Sequence, residues 1–315
     1  MSDQHSDSVT GSAALLQRRN AEAYLFLIFT MLCWAGNAIM GQLAVGQVSP
    51  MLVVLGRWAG VMLLCGIFMR HHLKRDWPVL RKNLVFLSIA GALGYSAFNG
   101  LFYLAAHSTS GLNIGILQGS MPVFVAMGAF LVYRTRITRL QLLGVILTVS
   151  GVIIIASAGS LDRLLHLEFK RGDLLMICAS ILYAGYTIAL RNRPAVSPLS
   201  LFAVMAASAF VLSIPFAGIE YMLGASQWPT PFGWLVVGLI TIFPSFLAQL
   251  FFIQGVDRVG PSRAGVFMNL VPIFAAGMAV VVLNESFEIY HGVALVLVLI
   301  GIYLSEKFKA PLGQP

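Results

Sequence analysis

Charge is what this sequence has least of. Only 10% of its 315 residues are Asp, Glu, Lys or Arg, while 58% are apolar. An ordinary soluble domain is about 25% charged and about 45–50% apolar, and that much apolar surface is not tolerated in water. A soluble enzyme and a disordered chain are therefore excluded. The net charge of +8 comes from too few side chains to build a basic face, so no nucleic-acid partner is expected. Cysteine is scarce too: Cys33, Cys65 and Cys178 all lie in apolar runs, are odd in number and match no metal-ligand spacing. They imply neither a disulfide framework nor a metal centre. There is no His-Glu-x-x-His pair and no Gly-x-Ser-x-Gly turn with a buried histidine. An intramembrane enzyme is thus disfavoured and no cofactor is expected. A channel is disfavoured because no ring of like charges or carbonyl-filter motif appears.

What the chain does have is apolar length. A helix needs about 20 mostly apolar residues to cross a bilayer, and ten such segments can be read along the sequence. They run near 24–45, 51–69, 84–106, 112–132 and 139–158, then 173–190, 199–219, 232–256, 262–283 and 287–305. The expected fold class is an all-α polytopic membrane protein with the lipid bilayer as its surroundings. Arg18 and Arg19 precede an apolar run too long for a secretory signal, so a retained first helix is expected. Sixteen of the twenty Lys and Arg residues fall at one set of alternate ends, from Arg18 to Lys309; the opposite set holds Arg163, Lys170 and Arg171. The positive-inside rule then places both termini in the cytoplasm. Trp77 at the inner edge, and Trp228 and Trp234 at the outer edge, suit an aromatic belt.

The two halves resemble each other at a shift of about 150 residues. Val48-Ser49-Pro50 recurs as Val196-Ser197-Pro198. Trp34-Ala35-Gly36-Asn37 is echoed by Tyr183-Ala184-Gly185-Tyr186. Met121-Pro122-Val123-Phe124 matches Val271-Pro272-Ile273-Phe274, and Gly151 matches Gly301. Each repeat holds five spans, an odd number, so the second must be inverted relative to the first. The expected organisation is a polar N-terminal tail over 1–23, a first five-helix repeat over 24–158, an inverted second repeat over 172–305 and a C-terminal tail over 306–315. Inverted repeats are a transporter design, in which one scaffold rocks around a central site.

Polar residues within spans are expected to face the bundle or a wet cavity. The candidate pathway comprises Trp34, Asn37, Tyr95, Asn99, Gln118, Tyr183, Tyr186, Ser245, Gln249 and Asn269. Repeat symmetry pairs Asn37 with Tyr186 and Asn99 with Gln249. Pro122 and Pro272 lack an amide hydrogen and crowd the carbonyl four residues earlier, so each is expected to kink its span and serve as a hinge. Gly111, Gly115 and Gly119 form a smooth ridge suited to helix packing. Arg57 is the one cation well inside a span; it either snorkels to headgroups or acts as counter-ion to a substrate carboxylate or a gate. Asp173 is expected to cap the sixth helix, and no acid is clearly at mid-membrane. Phosphorylated cargo would ask for clustered cations, whereas neutral or zwitterionic cargo with aromatic or apolar character fits Tyr and Trp.

Trp34-Ala35-Gly36-Asn37, Arg57, the stretch from Gln118 to Phe124, and Leu283-Asn284-Glu285 followed by Gly292 and Gly301 resemble the drug/metabolite transporter superfamily, in its ten-span type built from EamA-like domains. Asn284 stands where Gly is usual, and the first-half equivalent, Arg134-Thr135, carries no acid. Within that superfamily the chain most resembles bacterial exporters of aromatic and other neutral amino acids. The resemblance implies an inner-membrane exporter of amino acids, aromatic ones preferred, working by alternating access and possible as a facilitator. Export of another small neutral metabolite, such as a nucleobase or drug, is the alternative. A monomer and a homodimer both remain open.

Overall fold

The computed structural model describes the backbone of residues 3–134, 138–166 and 169–308; the side chains of residues 3–20, 261, 262 and 306 fall outside the described set. All regular structure among the described residues is helical. The first half contains α1 (Asp3–Ala44), α2 (Pro50–Phe68), α3 (Arg70–Leu80), α4 (Leu84–Gly91), α5 (Phe98–Ala106), α6 (Gly111–Gly119), α7 (Met121–Tyr133) and α8 (Arg139–Ala156). After the short α9 (Leu161–Leu165) come α10 (Arg171–Ala189), α11 (Pro198–Met222), α12 (Pro231–Ile240), α13 (Ala248–Val259), α14 (Pro261–Phe267), α15 (Leu270–Leu283) and α16 (Ile289–Lys307). Joined end to end where they are continuous, these make nine helices among the described residues that are long and apolar enough to span a bilayer. The apolar part of α16, Ile289–Ser305, is the shorter tenth.

The ten spans form two five-helix repeats, and their packing shows the inversion. The first span of each repeat packs on the third and fourth spans of the other: α1 lies on α13 and α15, and α10 lies on α5 and α7. The second spans pack on each other (α2 on α11), as do the fourth (α6 on α15) and the fifth (α8 on α16). Each contact has its symmetry partner, so neither repeat has a core of its own. The core runs between them, from Ile39, Trp58 and Phe102 to Tyr186, Phe202 and Ile240. Large apolar side chains such as Leu25, Leu63, Val85, Leu131 and Val281 are exposed around the perimeter, where lipid tails would cover them.

The recurring Val-Ser-Pro motif has a physical explanation. Proline at a helix start loses no hydrogen bond, and each start is completed by an acid from the opposite repeat. Glu220 accepts from Ser49 Oγ (2.6 Å) and from the Met51 amide (3.2 Å) at the head of α2. At the other end of the bundle Asp76 accepts from the Ser197 amide (2.9 Å) at the head of α11. Removing such a cap costs about 0.5–2 kcal/mol. Glu220→Ala and Asp76→Ala are each expected to lower Tm in detergent; two unchanged melting curves would contradict the assignment.

The α1 backbone is helical from Asp3 and runs unbroken into the first span, whose apolar part begins at Ala21. Two expectations need correcting. Asp173 does not cap its own helix; its carboxylate turns to the first repeat, accepting from Thr109 Oγ1 and from Asn113 Nδ2 (3.2 Å). Nor does Arg57 snorkel, as described below. Of the C-terminal tail, residues 309–315 lie outside the described residues, as does Thr135.

The fifth spans meet most closely. A Cβ added to Gly301 would lie 2.1 Å from Thr148 Oγ1 and 2.5 Å from the Gly144 carbonyl. The fourth spans end alike: Arg134 (φ 50°) and Asn284 (φ 54°) both close in the left-handed region, which Gly and Asn enter with least strain. That conformation explains why glycine would be usual at Asn284.

Candidate functional site

Four of the ten spans are irregular near mid-length, at symmetry-related places. The third span of the first repeat opens into a wide turn over Ala92–Ala97, and its counterpart does so over Thr241–Leu247 around Pro244. Hydrogen bonds there reach five residues back instead of four, a geometry common at functional sites. The fourth span breaks between α6 and α7 at Ser120, and its counterpart between α14 and α15 at Met268 and Asn269. Each break falls two to four residues ahead of Pro122 or Pro272. Proline cannot close the preceding turn, and Ser120 instead gives its hydroxyl to the Leu117 carbonyl at 2.6 Å.

Arg57 lies at the centre of the first repeat's side of this region, and is only 6% exposed. Its Nη1 donates to Asn99 Oδ1 and to Tyr103 OH (2.7 Å), with Asn37 Oδ1 at 3.4 Å. Tyr103 OH in turn donates to Asn37 Oδ1 at 2.9 Å. Asn99 is held from behind: its Nδ2 donates to the Tyr95 carbonyl at 2.6 Å, on the wide turn. These partners come from α1 (Asn37), α2 (Arg57) and α5 (Asn99, Tyr103), so the charge ties three spans together. All three acceptors are neutral, and no ion pair reaches Arg57 among the described residues. A buried charge without a counter-ion costs several kcal/mol. Such a group is expected to serve function rather than stability.

An aromatic wall stands beside it. The Arg57 guanidinium carbon is 5.1 Å from the Trp58 ring centroid. Trp58 stacks on Tyr95 with centroids 4.6 Å apart and planes 5° apart. Tyr95 meets Tyr186 at 5.5 Å and Phe202 at 6.2 Å; Tyr183 lies 5.5 Å from Tyr186 and 5.2 Å from Phe98. Tyr186 rests on bare backbone, since a Cβ on Gly94 would fall 2.3 Å from its Cγ. Both repeats contribute to this wall.

Of the residues singled out in the sequence, Asn37, Arg57, Tyr95, Asn99, Tyr183 and Tyr186 are thus joined into one cluster. Trp34, three residues from Asn37, instead packs on Phe252 (5.1 Å) beside Met268 and Phe274. Gln118 and Asn269 sit at the two span breaks, each with a buried amide oxygen that no group among the described residues satisfies. Ser245 lies in the second wide turn at the position equivalent to Tyr95, its hydroxyl donating to the Ile240 carbonyl at 2.5 Å. Gln249 is half-buried on α13. Among the described residues, no hydrogen bond or ring contact joins these five to the Arg57 cluster. Trp58, Tyr103, Phe98 and Phe202 were not anticipated, although Tyr103 stands four residues after Asn99 and Trp58 follows Arg57 directly. A groove of about 590 Å³ lies elsewhere, lined by Leu25, Phe29, Leu32, Leu247 and Phe251. It offers nothing polar to orient cargo.

Polar bridges between the repeats close the bundle at both ends. At the end away from the termini, the Glu285 carboxylate accepts from the Gly111 and Leu112 amides (2.7 and 2.8 Å). His291 takes the Glu288 amide on Nδ1, so its Nε2 carries the hydrogen and donates to Asn113 Oδ1 at 3.2 Å. Gln227 donates to the Gly46 carbonyl at 2.7 Å. At the terminal end Thr138 donates to the Phe308 carbonyl (2.8 Å) and Tyr133 to the Ile188 carbonyl (3.3 Å). The Arg57 cluster lies enclosed between them. The glycine ridge of α6 is filled by the opposite repeat: Gly115 faces Ala275, Gly119 faces Pro272 and Gly111 faces Leu283.

A family described as the EamA-like transporter family matches residues 21–157 and again 170–306. The chain is 28% identical over 311 residues to a Bacillus subtilis protein named uncharacterized transporter YetK, covering 96% of this chain and 93% of the relative. It is 25% identical over 303 residues to the Escherichia coli K12 protein named uncharacterized inner membrane transporter YedA, covering 92% and 94%. A solved crystal structure superposes with a TM-score of 0.61 at 18% identity, over 92% of this chain and 98% of the other, and so shares the fold. Inverted five-span repeats, paired span breaks and a family match to each half lead to one conclusion: the chain belongs to the EamA-like transporter family and is a multi-pass membrane transporter.

Proposed function

We propose that this transporter exports amino acids, aromatic and neutral ones preferred, by alternating access between its two inverted repeats. The observation that carries this reading is the pairing of symmetric breaks in the third and fourth spans with one enclosed cluster of aromatic rings and polar groups. Interrupted helices at matching points of two repeats mark transporter binding sites, and Pro122 and Pro272 serve as the hinges. Tyr95, Tyr183 and Tyr186 supply ring faces and hydroxyls for an aromatic side chain. Trp34, Gln118, Ser245, Gln249 and Asn269 line the remainder of the path. The bridges at the two ends act as alternating gates, Glu285 and Asn113 on one side and Asp76 and Tyr133 on the other.

The protein resides in a bacterial inner membrane with both termini in the cytoplasm, as its flanking cations indicate. Transport is facilitated rather than proton-driven. No carboxylate or histidine among the described residues hydrogen-bonds to the Arg57 cluster, where a proton relay would need one.

Proteoliposomes are expected to show saturable, two-way flux of labelled tryptophan and phenylalanine that an imposed pH gradient leaves unchanged. Tyr183→Ala or Gln249→Ala should cut that flux at least about tenfold while the protein stays folded. Flux of no amino acid above empty vesicles, from folded protein, would overturn the assignment.

A further inference from the structure

We propose that the open edge of the Arg57 guanidinium is a carboxylate-binding site, and that the transporter's cargo is therefore the class of aromatic and large apolar carboxylates, with or without an amino group. This rests on the reading above and narrows it.

A guanidinium carries five N–H donors in one plane. All the partners of Arg57 gather on Nη1, where Asn99, Tyr103 and Asn37 converge. Its Nε is buried with no partner among the described residues, and none of its hydrogen bonds there uses Nη2. Nε–H and the adjoining Nη2–H point in parallel along one edge, at the spacing of the two oxygens of a carboxylate. That edge is the one arginine uses for bidentate recognition. On Trp58, whose ring centroid lies 5.1 Å from the guanidinium carbon, Nε1 is a further buried donor with no partner among the described residues. The amide and carbonyl oxygens around the guanidinium, by contrast, are occupied: Asn37 Oδ1 by Tyr103, Asn99 Oδ1 by Arg57, and the Tyr95 carbonyl by Asn99.

The cluster is thus a donor surplus with a net positive charge. An ionised carboxylate is its complement, carrying one negative charge and accepting only. Phosphate is the poorer match, because its double charge would face a single cation. The rings set the rest of the molecule. A carboxylate on the open edge lies next to the Trp58–Tyr95 stack, and an aryl or branched apolar body can replace the contacts of that stack with Tyr186 and Phe202. Nothing beside the guanidinium calls for an ammonium group, since no acid pairs with Arg57 among the described residues.

The test uses the full-length transporter in detergent, with four probes that share one ring: phenylalanine, 3-phenylpropionate, 3-phenylpropanamide and phenethylamine. Binding is read by the shift in Tm and by tryptophan fluorescence. Phenylalanine and 3-phenylpropionate should bind, and the amide and amine at least about tenfold more weakly, as expected when a charge-assisted hydrogen-bond pair is lost. Arg57→Gln should bring acid and amide to equal affinity. Arg57→Lys keeps the charge without the fork, and should weaken acid binding while leaving the acid preferred.

An amide that binds the wild type as well as the acid does would overturn the proposal, and so would an acid preference untouched in Arg57→Lys and Arg57→Gln. If Arg57→Gln fails to fold, the wild-type acid–amide comparison and Arg57→Lys decide the question. Acid binding that depends on Arg57, without flux of any amino acid, would uphold this site while removing the export reading. Flux that ignores Arg57 would do the reverse.

Discussion

Replacing Asn99 by Leu is expected to give a transporter with flux at background and a folded state weakened by about 3 kcal/mol. Asn99 Oδ1 is an acceptor for the Arg57 charge, and its Nδ2 satisfies the Tyr95 carbonyl of the wide turn. Leucine has the same branching and number of side-chain heavy atoms, so the shape is largely kept, but both bonds are lost. Stripping a partner from a buried charge costs roughly 3–5 kcal/mol; Asn37 and Tyr103 still reach Nη1, which sets the loss at the lower end. Asn99→Asp is the informative companion. It places a carboxylate on Arg57 and converts an uncompensated charge into an ion pair, so Tm should equal or exceed that of the wild type. Flux should nevertheless fall to background, because the charge that draws cargo is neutralised from within. Stability and transport would then move in opposite directions, an outcome that a purely structural Arg57 does not predict. Melting curves alongside flux in proteoliposomes decide it.

The second large effect is expected where no cargo passes. Gly301→Ala should lower stability by about 1–3 kcal/mol, and Gly301→Leu should prevent recovery of folded, monodisperse protein. At Gly301 the added carbon meets Thr148 Oγ1 at 2.1 Å, the Gly144 carbonyl at 2.5 Å and the Thr148 amide at 2.8 Å. Two of these are backbone atoms and cannot step aside, so α8 and α16 would have to separate. Without a hydrophobic drive between helices in lipid, close approach through small residues is what holds them. Gly277→Ala makes the control: an added Cβ there meets nothing within 4 Å, and its helix should gain up to about 1 kcal/mol. Equal melting temperatures for the two alanine variants would contradict this account.

The resemblance between the halves is legible because it rests on residues whose backbone demands are local. Proline at the head of α2 and of α11, and the prolines after the two span breaks, announce themselves by type and spacing. The wide turns at Ala92–Ala97 and Thr241–Leu247 do not. An i→i+5 turn changes no hydrophobic count, and Pro244 marks only the second of them. Arg57 was visible as an anomaly in an apolar run, but not its company. Asn37, Asn99 and Tyr103 lie 20, 42 and 46 residues away, and only packing of α1, α2 and α5 brings them together. Tyr103 was passed over because an apolar run hides a tyrosine whose partner is remote. The Asp173 carboxylate illustrates the same limit in reverse. Local rules assigned it to its own helix start, whereas Thr109 and Asn113 of the other repeat offered partners in a protected place.

By itself, then, the sequence determined the medium, the number of spans and their pairing into two opposed repeats. Those follow from apolar length, alternating charge and an odd span count, all of which act along the chain. Tertiary structure alone decided which groups share the interior. Within a membrane every buried polar atom seeks a partner across helices, and which partner it finds depends on how the two repeats interlock. That interlocking left one edge of one buried arginine without a partner among the described residues.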